Sequence, residues 1–304
     1  MEYIKYNKNI LSKLSLGTVQ FGLNYGISNK TGKPAQEEVN EIINFLEING
    51  INSFDTAKGY GDSEIVLGNY FKNKQNIQKY IVSKFESQHL QLEEKDFLIF
   101  IKDSLKKLNI NSLFGLLMHN SDFLDKWEKY YSCKVSVLKD QGIIKYFGVS
   151  IYSNKEFELA LNNKDIDIIQ VPFNIMDQRA HSRSWLKKAK ENNKLIFIRS
   201  IYLQGLLLMN IEDIPKKLED AKEDIKYIDN IANSLGISRN ELCLSFVNTI
   251  ARDAVILFGC ETLEQAKENI KVFNSIKKLD KNIIDKLINR FIDLDEKIYN
   301  PTKW

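Results

Sequence analysis

The stretch INSFDTAKGYGDSE, residues 51–64, contains the three parts of one β/α unit. Residues 51–55 form a short apolar run that predicts a strand, and the GYG that follows predicts a loop. The acidic DSE at 62–64 predicts the start of a helix, whose N-terminal dipole favours acids. Tyr60 lies in this loop between two glycines, where no core is expected for it to fill. The stretch therefore raises two questions: what Tyr60 does there, and how often the unit repeats.

The same unit recurs along most of the chain, as apolar runs that alternate with amphipathic helical stretches. The runs are almost continuously apolar, which is typical of parallel strands covered on both faces. Eight such strands are predicted, at residues 14–19, 51–55, 79–85, 113–119, 145–150, 167–172, 194–200 and 254–259.

Eight strand–helix pairs in 304 residues predict the α/β class and a (β/α)8 TIM barrel, which takes about 250 residues. No shift in composition marks a boundary, so we expect a single domain over residues 1–304. The segment EYIKYNKNILSKL (2–14) suggests a short N-terminal hairpin that closes the barrel floor. A doubly wound open sheet is the alternative, but its first strand should lead into GxGxxG, and GTVQFGLNYG (17–26) lacks that pattern.

Composition argues against several functional classes. The net charge is only +3 and the lysines are interspersed with acids, which disfavours nucleic-acid binding. Three cysteines without a CxxC pair and three histidines disfavour a metal site. No apolar run approaches the ~18 residues of a membrane span, and MEYIKYNKNI lacks a signal-peptide core. We expect a cytoplasmic protein without nucleic-acid or membrane partners, and the oligomeric state stays open.

Ionisable residues fall at the ends of three consecutive predicted strands. Asp55 ends the second strand, Lys84 lies in the third and His119 ends the fourth. Barrel enzymes carry their sites at these carboxyl ends, and neighbouring parallel strands bring such residues together. Tyr60, five residues beyond Asp55, can fold over this group. Gly59 and Gly61 are expected to permit the tight turn around it.

These four side chains could form a site in which Tyr60 donates a proton to a carbonyl oxygen. A tyrosine hydroxyl has a pKa near ~10, and we expect the Lys84 ammonium to lower it. Asp55 would hold Lys84 in place, and His119 would orient the carbonyl by hydrogen bonding. Taken singly, an Asp at a strand end is often a helix cap and a lone His is usually structural. A buried Lys at a strand end is rarer, because burying an unpaired charge is costly. The four residues together therefore favour a catalytic site over separate structural roles.

Seven segments carry a resemblance to a known family, in order along residues 14–270: FDTAKGYGDSEIVLG, IVSKF, LLMHN, GIIKYFGVS, IIQVPFN, IRSIYLQGLL and GCETLEQAKENI. Together they resemble the aldo-keto reductase family, and every fixed position of its DTAxxYGxSExxLG pattern is present. The resemblance implies a (β/α)8 barrel and a catalytic tetrad of Asp55, Tyr60, Lys84 and His119, with Tyr60 as general acid. It also implies a nicotinamide dinucleotide bound without a Rossmann fold.

The resemblance further implies where that cofactor is held. Ser150 and Gln170 match positions that bind the carboxamide, although Ile151 stands where an asparagine is usual. Arg199 lies where many members stack an aromatic ring on the nicotinamide, and a guanidinium plane can stack as well. The implied cofactor-binding residues are Gly17, Thr18, Asp55, Ser150, Gln170 and Arg199, then Ser200, Leu203 and Gly205 in the pyrophosphate loop, and Gly259, Glu261, Gln265, Glu268 and Asn269 at the adenosine end.

The segment GCETLEQAKEN (259–269) corresponds to the part of the family that grips the 2′-phosphate of NADP, often through Lys or Arg. Here Gly259, Glu261 and Gln265 occupy the contacting positions. A carboxylate would repel that phosphate, whereas an acid near a ribose 2′-hydroxyl favours NAD in other folds. The cofactor is thus expected to be NADP or NAD, and Glu261 argues against strict use of NADP.

The favoured function is an NAD(P)H-dependent reductase of a small-molecule aldehyde or ketone, with sugar-derived carbonyls among the substrates considered. Two alternatives stay open: a nucleotide-binding regulatory or sensing subunit of the same fold with little turnover, and a non-redox lyase or epimerase. The complete tetrad favours the first. Asn24, Tyr25 and Asn29 are expected either to line the substrate pocket or to belong to a solvated loop, and Tyr202 could reach the ligand. No motif specifies the substrate.

Overall fold

A computed structural model of the chain describes residues 1–72, 74, 79–127, 131–276 and 278–304. The strands in these ranges are β1 Tyr3–Tyr6, β2 Asn9–Ser12, β3 Leu14–Gly17, β4 Ser53–Asp55, β5 Tyr80–Phe85, β6 Leu113–Met118, β7 Ile144–Ser150, β8 Ile168–Pro172, β9 Leu195–Arg199 and β10 Val255–Gly259. The helices are α1 Val19–Gly22, α2 Gln36–Ile48, α3 Ser63–Phe71, α4 Glu94–Leu108, α5 Ser132–Asp140, α6 Asn154–Asn162, α7 Arg179–Ser182, α8 Trp185–Glu191, α9 Ala221–Ser234, α10 Arg239–Ile250, α11 Leu263–Ser275, α12 Lys281–Phe291 and α13 Glu296–Tyr299. Short 3-10 turns span Ser87–Gln91, Leu124–Lys126, Leu203–Leu208, Ile211–Asp213, Lys216–Leu218 and Pro301–Lys303.

Strands β3 to β10 form a closed parallel barrel in the order β10-β3-β4-β5-β6-β7-β8-β9. This confirms the predicted (β/α)8 barrel, and the alternative of an open doubly wound sheet is wrong. The eight predicted strands are all present with ends shifted by a few residues. The first strand, for example, stops at Gly17 because helix α1 begins at Val19.

The first two strands form an antiparallel hairpin, as the sequence suggested. The hairpin lies against the amino-terminal ends of the barrel strands. The Tyr6 hydroxyl donates to the Asn193 carbonyl oxygen at 3.1 Å, just before β9. The Asn9 amide donates to the Tyr146 hydroxyl at 2.8 Å, on β7. These contacts close the barrel floor and leave the opposite mouth as the open end.

The barrel interior is apolar in its lower half and polar at the mouth. The inner cluster comprises Tyr6, Leu11, Tyr80, Val82, Phe114, Leu117, Tyr146, Ile168, Leu195, Phe197, Val255 and Leu257. Above it, Asp55 is paired in register with Gly17 on one side and Val82 on the other. Ser150 pairs with Gln170 on the far side of the barrel. The fold thus places polar strand ends around one mouth.

The long insertion after the seventh barrel strand contains a helix of its own, α9. Helices α12 and α13 form the tail that follows α11. No helix in the described ranges is both long enough and apolar enough to traverse a bilayer.

Candidate active site

The centre of the site is a buried charge pair between neighbouring strands. Asp55 ends β4, and Lys84 lies in β5 with only 1% of its surface exposed. The Lys84 ammonium donates to Asp55 Oδ1 and, at 3.0 Å, to the Thr56 carbonyl oxygen. The Gln170 amide donates to Asp55 Oδ2 at 2.9 Å from the opposite side of the barrel. Both carboxylate oxygens therefore have a partner, and the pair is fixed in place.

Burial and pairing shift the pKa of Lys84 in opposite directions. Removal from water lowers the pKa of its ammonium, while the Asp55 carboxylate raises it. The pairing that the sequence predicted between these residues is present. Its main consequence is geometric, because it places the ammonium beneath the ring of Tyr60, with Nζ 5.0 Å from the ring centroid.

The pKa of the Tyr60 hydroxyl is raised, whereas the sequence predicted that it would be lowered. Burial raises the pKa of Tyr60 and the Asp55 carboxylate raises it further, while Arg199 is the cation that lowers it. The prediction that Lys84 would lower this pKa is therefore wrong for the protein without ligand. The physical reason is that Asp55, which neutralises Lys84, acts on Tyr60 as well. Tyr60 consequently retains its proton at neutral pH.

His119 follows β6 and stands beside Tyr60, with their ring centroids 5.5 Å apart in an edge-to-face arrangement. Its backbone N–H donates to the Phe85 carbonyl oxygen at 2.8 Å. Burial lowers the pKa of His119 to about 3, with Lys84 and Arg199 acting in the same direction. The imidazole is thus neutral at physiological pH.

Glu86 is a member of this group that the sequence reasoning missed. Its Oε1 lies 3.1 Å from His119 Nδ1. The signal was available, since Glu86 follows the β5 strand end directly and lies two residues after Lys84. An acid at the end of the strand that carries a buried lysine faces the same mouth.

A cavity of about 860 Å³ extends from these residues across the barrel mouth. The residues predicted from sequence that line it are Gly17, Thr18, Tyr25, Asp55, Tyr60, His119, Ser150, Gln170, Arg199, Ser200, Tyr202, Gly205, Gly259, Glu261, Gln265, Glu268 and Asn269. Lys84 does not line the cavity; its side chain is buried and paired with Asp55. The Leu203 side chain is buried, and Asn24 and Asn29 lie outside the cavity wall.

Arg199 forms the wall opposite Tyr60. Its guanidinium donates to the Ser150 hydroxyl at 3.2 Å and to the Ile151 carbonyl oxygen at 3.2 Å. It also stacks on Tyr152, 4.1 Å from the ring centroid. The Ile151 side chain is fully buried and apolar, so it offers no hydrogen-bonding group in place of the asparagine that is usual at that position. Tyr152 lines the cavity but carries no motif that would have revealed it.

The far end of the cavity is rich in acids. Gln265 and Glu261 bind each other, through Gln265 Nε2 to Glu261 Oε1 at 3.0 Å and the Glu261 N–H to Gln265 Oε1 at 2.9 Å. Arg239, also missed from sequence, is held by both oxygens of Asp229 at 2.6 and 2.7 Å. Its signal was the capping box that opens α10, in which Ser238 and Glu241 exchange hydrogen bonds.

The match to a known family agrees with this barrel fold. The model of the Aldo/keto reductase family matches residues 13–289. The chain belongs to the aldo/keto reductase family. As a member it is an NAD(P)-dependent oxidoreductase, and carbonyl reduction is the activity that membership supports.

Individual relatives within the aldo/keto reductase family are distant in sequence. The oxidoreductase YqkF of Bacillus subtilis is 22% identical over 259 residues, which are 77% of this chain and 81% of that protein. The holo form of an aldo-keto reductase from Bacillus halodurans has a TM-score of 0.77 at 17% identity, covering 100% of both chains. An aldo/keto reductase from Klebsiella pneumoniae, solved in complex with NADP and acetate, has a TM-score of 0.71 at 18% identity over 95% of each chain.

For an aldo/keto reductase, this cavity has to accept a dinucleotide, and two buried atoms support such a fit. Gln20 Oε1 and Asn240 Oδ1 are buried without a hydrogen-bond partner among the described residues. Both residues line the cavity. Buried acceptors of this kind are costly unless a donor reaches them, and a ligand with hydroxyl or amide groups supplies one. Across the described ranges, no cluster of three or more His, Cys, Asp or Glu side chains is arranged to hold a metal.

Proposed function

We propose that this protein reduces an aldehyde or ketone with Tyr60 as the general acid. The observation that carries the proposal is the network in which Asp55 joins Lys84 and Gln170 beneath Tyr60 and His119. A nicotinamide dinucleotide, when bound in the cavity, would supply the hydride that the carbonyl carbon needs. Tyr60 then donates its proton to the carbonyl oxygen.

The surrounding charges suit a donor that starts protonated. The high pKa of Tyr60 keeps the proton on the phenol until the substrate oxygen gains negative charge. As the proton leaves, Arg199 is the cation that favours the phenolate that forms. The buried Asp55–Lys84 pair keeps the ammonium at a fixed place during this step.

The cavity wall offers groups for each part of the cofactor. We assign Ser150, Gln170 and Arg199 to the nicotinamide end. The loop from Ser200 to Gly205 would hold the pyrophosphate, with Gly17 and Thr18 on the facing strand end. The adenosine would lie against Gly259, Glu261, Gln265, Glu268 and Asn269.

We further propose that NAD is bound at least as well as NADP. Glu261, Glu268 and Asp229 face the adenosine end, and Arg239, the one cation that lines it within the described part of the chain, is already paired with Asp229. One N–H of Gln265 is bound to Glu261. An incoming 2′-phosphate would thus meet carboxylates rather than an unpaired cation, and like charges in a partly buried site repel.

The substrate is proposed to be a small carbonyl compound, with sugar-derived carbonyls included. Support comes from the polar character of the wall around the reacting position, where Tyr25, Tyr152 and His119 line the cavity. Hydroxyl-bearing substrates find both donors and acceptors there.

The decisive experiment replaces Tyr60 by phenylalanine. Tyr60→Phe removes the proton donor without changing the ring, so we expect NADH and NADPH binding to be kept and oxidation of the reduced cofactor with a panel of aldehydes and ketones to be lost. Turnover like that of the wild type would overturn the role of Tyr60. Tight cofactor binding by the wild type with no turnover on the whole panel would favour the regulatory or sensing subunit instead.

A further inference from the structure

A second cavity, of about 870 Å³, lies on the floor side of the barrel, opposite the catalytic mouth. Its wall is formed by the N-terminal hairpin, by residues at the amino-terminal ends of β9 and β10, and by the start of helix α12. Leu195 opens β9 at this cavity, whereas Arg199 ends the same strand at the catalytic mouth. No described residue lines both cavities. This space, the floor cavity, has a volume typical of sites for small molecules.

The buried part of the floor cavity is apolar. The lining residues that are buried include Tyr6, Leu195, Ile196, Ala251, Ala254 and Leu279. Most of the charged side chains belong to the exposed part of the wall. A ligand that fills the cavity would therefore place an apolar body against the buried part and a polar group at the rim.

The charge of the floor cavity is strongly positive. Seven lysines and arginines line it, against two aspartates, Asp253 and Asp280. In the whole chain the two kinds of charge are nearly balanced, at 43 Lys and Arg against 40 Asp and Glu, so the excess is local. A cleft with one sign of charge and apolar walls focuses its field and attracts ions of the opposite sign. The polar group that fits this rim is thus an anion.

Four of these cations are not neutralised by the protein itself. Within the described part of the chain, no hydrogen bond or ion pair is formed by the side chains of Lys5, Arg252, Lys278 and Lys281. The other three contact a carboxylate or backbone carbonyl oxygens. Lys5 lies in the hairpin, Arg252 between α10 and β10, and Lys281 at the start of α12. Segments far apart in sequence thus bring unpaired cations to one cavity.

A further positive charge lies behind the wall. Lys13 is 1% exposed, and its ammonium donates to the carbonyl oxygens of Ala251 and Arg252 at 2.6 and 2.7 Å. Burial lowers the pKa of Lys13 to about 8, against the carboxylates of Glu2 and Asp253, which raise it. The ammonium forms no ion pair with a carboxylate of the described residues, and a buried charge without a counter-ion is costly. An anion in the floor cavity would reduce that cost.

We infer that the floor cavity binds a small amphipathic anion, a carboxylate or phosphate on an extended apolar body. The apolar body lies against the buried wall, and the anionic group lies among the four unpaired cations. This site goes beyond the proposed reduction and does not depend on it, since the two cavities lie at opposite ends of the barrel.

The first test compares two fluorescent probes with the same aromatic body. Anilinonaphthalene sulfonate carries an anionic group, and phenylnaphthylamine carries none. Fluorescence titration of the full chain is expected to give a dissociation constant about tenfold lower for the sulfonate, because only the sulfonate gains charge-assisted contacts. Equal affinity for the two probes would overturn the inference.

The second test locates the sulfonate through the cations. The double variant Lys5→Gln/Lys281→Gln should weaken its binding by about tenfold, the loss of two charge-assisted contacts at partly exposed positions. Binding of phenylnaphthylamine should stay within about twofold, because the apolar wall is unchanged. Circular dichroism confirms that the variant is folded.

The matched control is Lys271→Gln/Lys286→Gln. It removes the same net charge at exposed positions of α11 and α12 that line neither cavity. The control should bind the sulfonate as the wild type does. An equal loss in both double variants would mean that only net charge matters and would overturn the site.

Competition separates the floor cavity from the catalytic one. Saturating NAD should leave the affinity for the sulfonate unchanged, and displacement by NAD would place the probe at the mouth and overturn the inference. A protein that binds no dinucleotide and reduces no carbonyl would contradict the proposed function, while the lysine variants would still decide the present inference.

A free ligand and a membrane lipid are two sources of an amphipathic anion, and the enclosed volume favours the free ligand. Decanoate should therefore displace the sulfonate at concentrations at which decanol does not. The protein should remain in the supernatant after centrifugation with phosphatidylglycerol vesicles. Displacement by decanol at the same concentration, or pelleting with the vesicles, would overturn a site for a free anion.

Discussion

The position of Tyr60 depends on a close backbone contact with Gly22 and on Gly61, but not on Gly59. A Cβ on Gly22 would lie 1.8 Å from the Tyr60 carbonyl oxygen, so the two segments touch without room for a side chain. Gly61 has φ +58° and its Cβ would lie 2.5 Å from the Gly22 carbonyl oxygen. Gly59 has an ordinary φ and open space, with no neighbour nearer than 3.8 Å. The expectation that Gly59 is needed for the turn is therefore wrong, while the one for Gly61 is confirmed.

Gly61→Ala is accordingly expected to displace Tyr60. The added methyl meets backbone that cannot rotate away, and a misplacement of about 1 Å in a reacting group costs about 100-fold in rate. Steady-state kcat for carbonyl reduction measures this, with circular dichroism to confirm that the barrel is folded. Gly59→Ala is the matched control in the same loop. Equal kcat values for the two variants would contradict the account.

Glu261 is the residue on which the cofactor preference depends. Glu261→Lys replaces a carboxylate with an ammonium at the adenosine end, and the ratio of the NADPH to the NADH dissociation constant should fall by about tenfold or more, or about 1.4 kcal/mol. Fluorescence titration of the two reduced cofactors measures it. Glu264→Lys makes the same charge change at an exposed position of helix α11, which begins just after Glu261, and Glu264 does not line the cavity. A shift of equal size there would show that only net charge matters.

At the scale of elements, a buried amide is one of the groups that join the N-terminal hairpin to the barrel. Asn9 is 3% exposed, and its Nδ2 donates to the Tyr6 carbonyl oxygen at 3.0 Å and to the Tyr146 hydroxyl at 2.8 Å. Its Oδ1 accepts from the Lys145 ammonium at 2.7 Å. One side chain thus joins the hairpin to strand β7 across the barrel floor.

Asn9→Ala should therefore lower the free energy of unfolding by about 1–3 kcal/mol, because it leaves buried polar partners unsatisfied. Urea unfolding of the variant and wild type measures this. The cofactor dissociation constants should not change, since the floor lies opposite the mouth. Lys8→Ala, in the exposed turn of the same hairpin, should stay within about 0.5 kcal/mol of wild type. A loss of cofactor binding in Asn9→Ala would mean that the floor and the mouth are coupled.

At the scale of the whole molecule, periodic features were predictable and contacts between side chains were not. Eight apolar runs imply the barrel because each is covered on both faces, and the strand ends bring Asp55 and Lys84 together by topology alone. Tyr152 was missed because no motif marks its place in the cavity wall, whereas Glu86 and Arg239 could have been found from the strand end and the capping box beside them. The pKa of Tyr60 was mispredicted because it depends on burial and on the combined charges of Asp55, Arg199 and Glu86, which no pair of residues reveals.

The stability of the barrel at acidic pH should depend on the protonation of His119. Its pKa is about 3 in the folded protein and about 6.5 when unfolded, so between these values the unfolded chain binds more protons. The stabilisation is complete above pH 6.5 and is lost as pH falls towards 3, with a slope of up to about 1.36 kcal/mol per pH unit. Urea unfolding from pH 4.5 to 8 should show this slope in wild type and a correspondingly smaller one in His119→Asn, with the two curves parallel above pH 6.5. Curves that stay parallel down to pH 4.5 would mean that His119 is protonated in the folded barrel, held as an imidazolium by Glu86 against the opposing charges of Lys84 and Arg199.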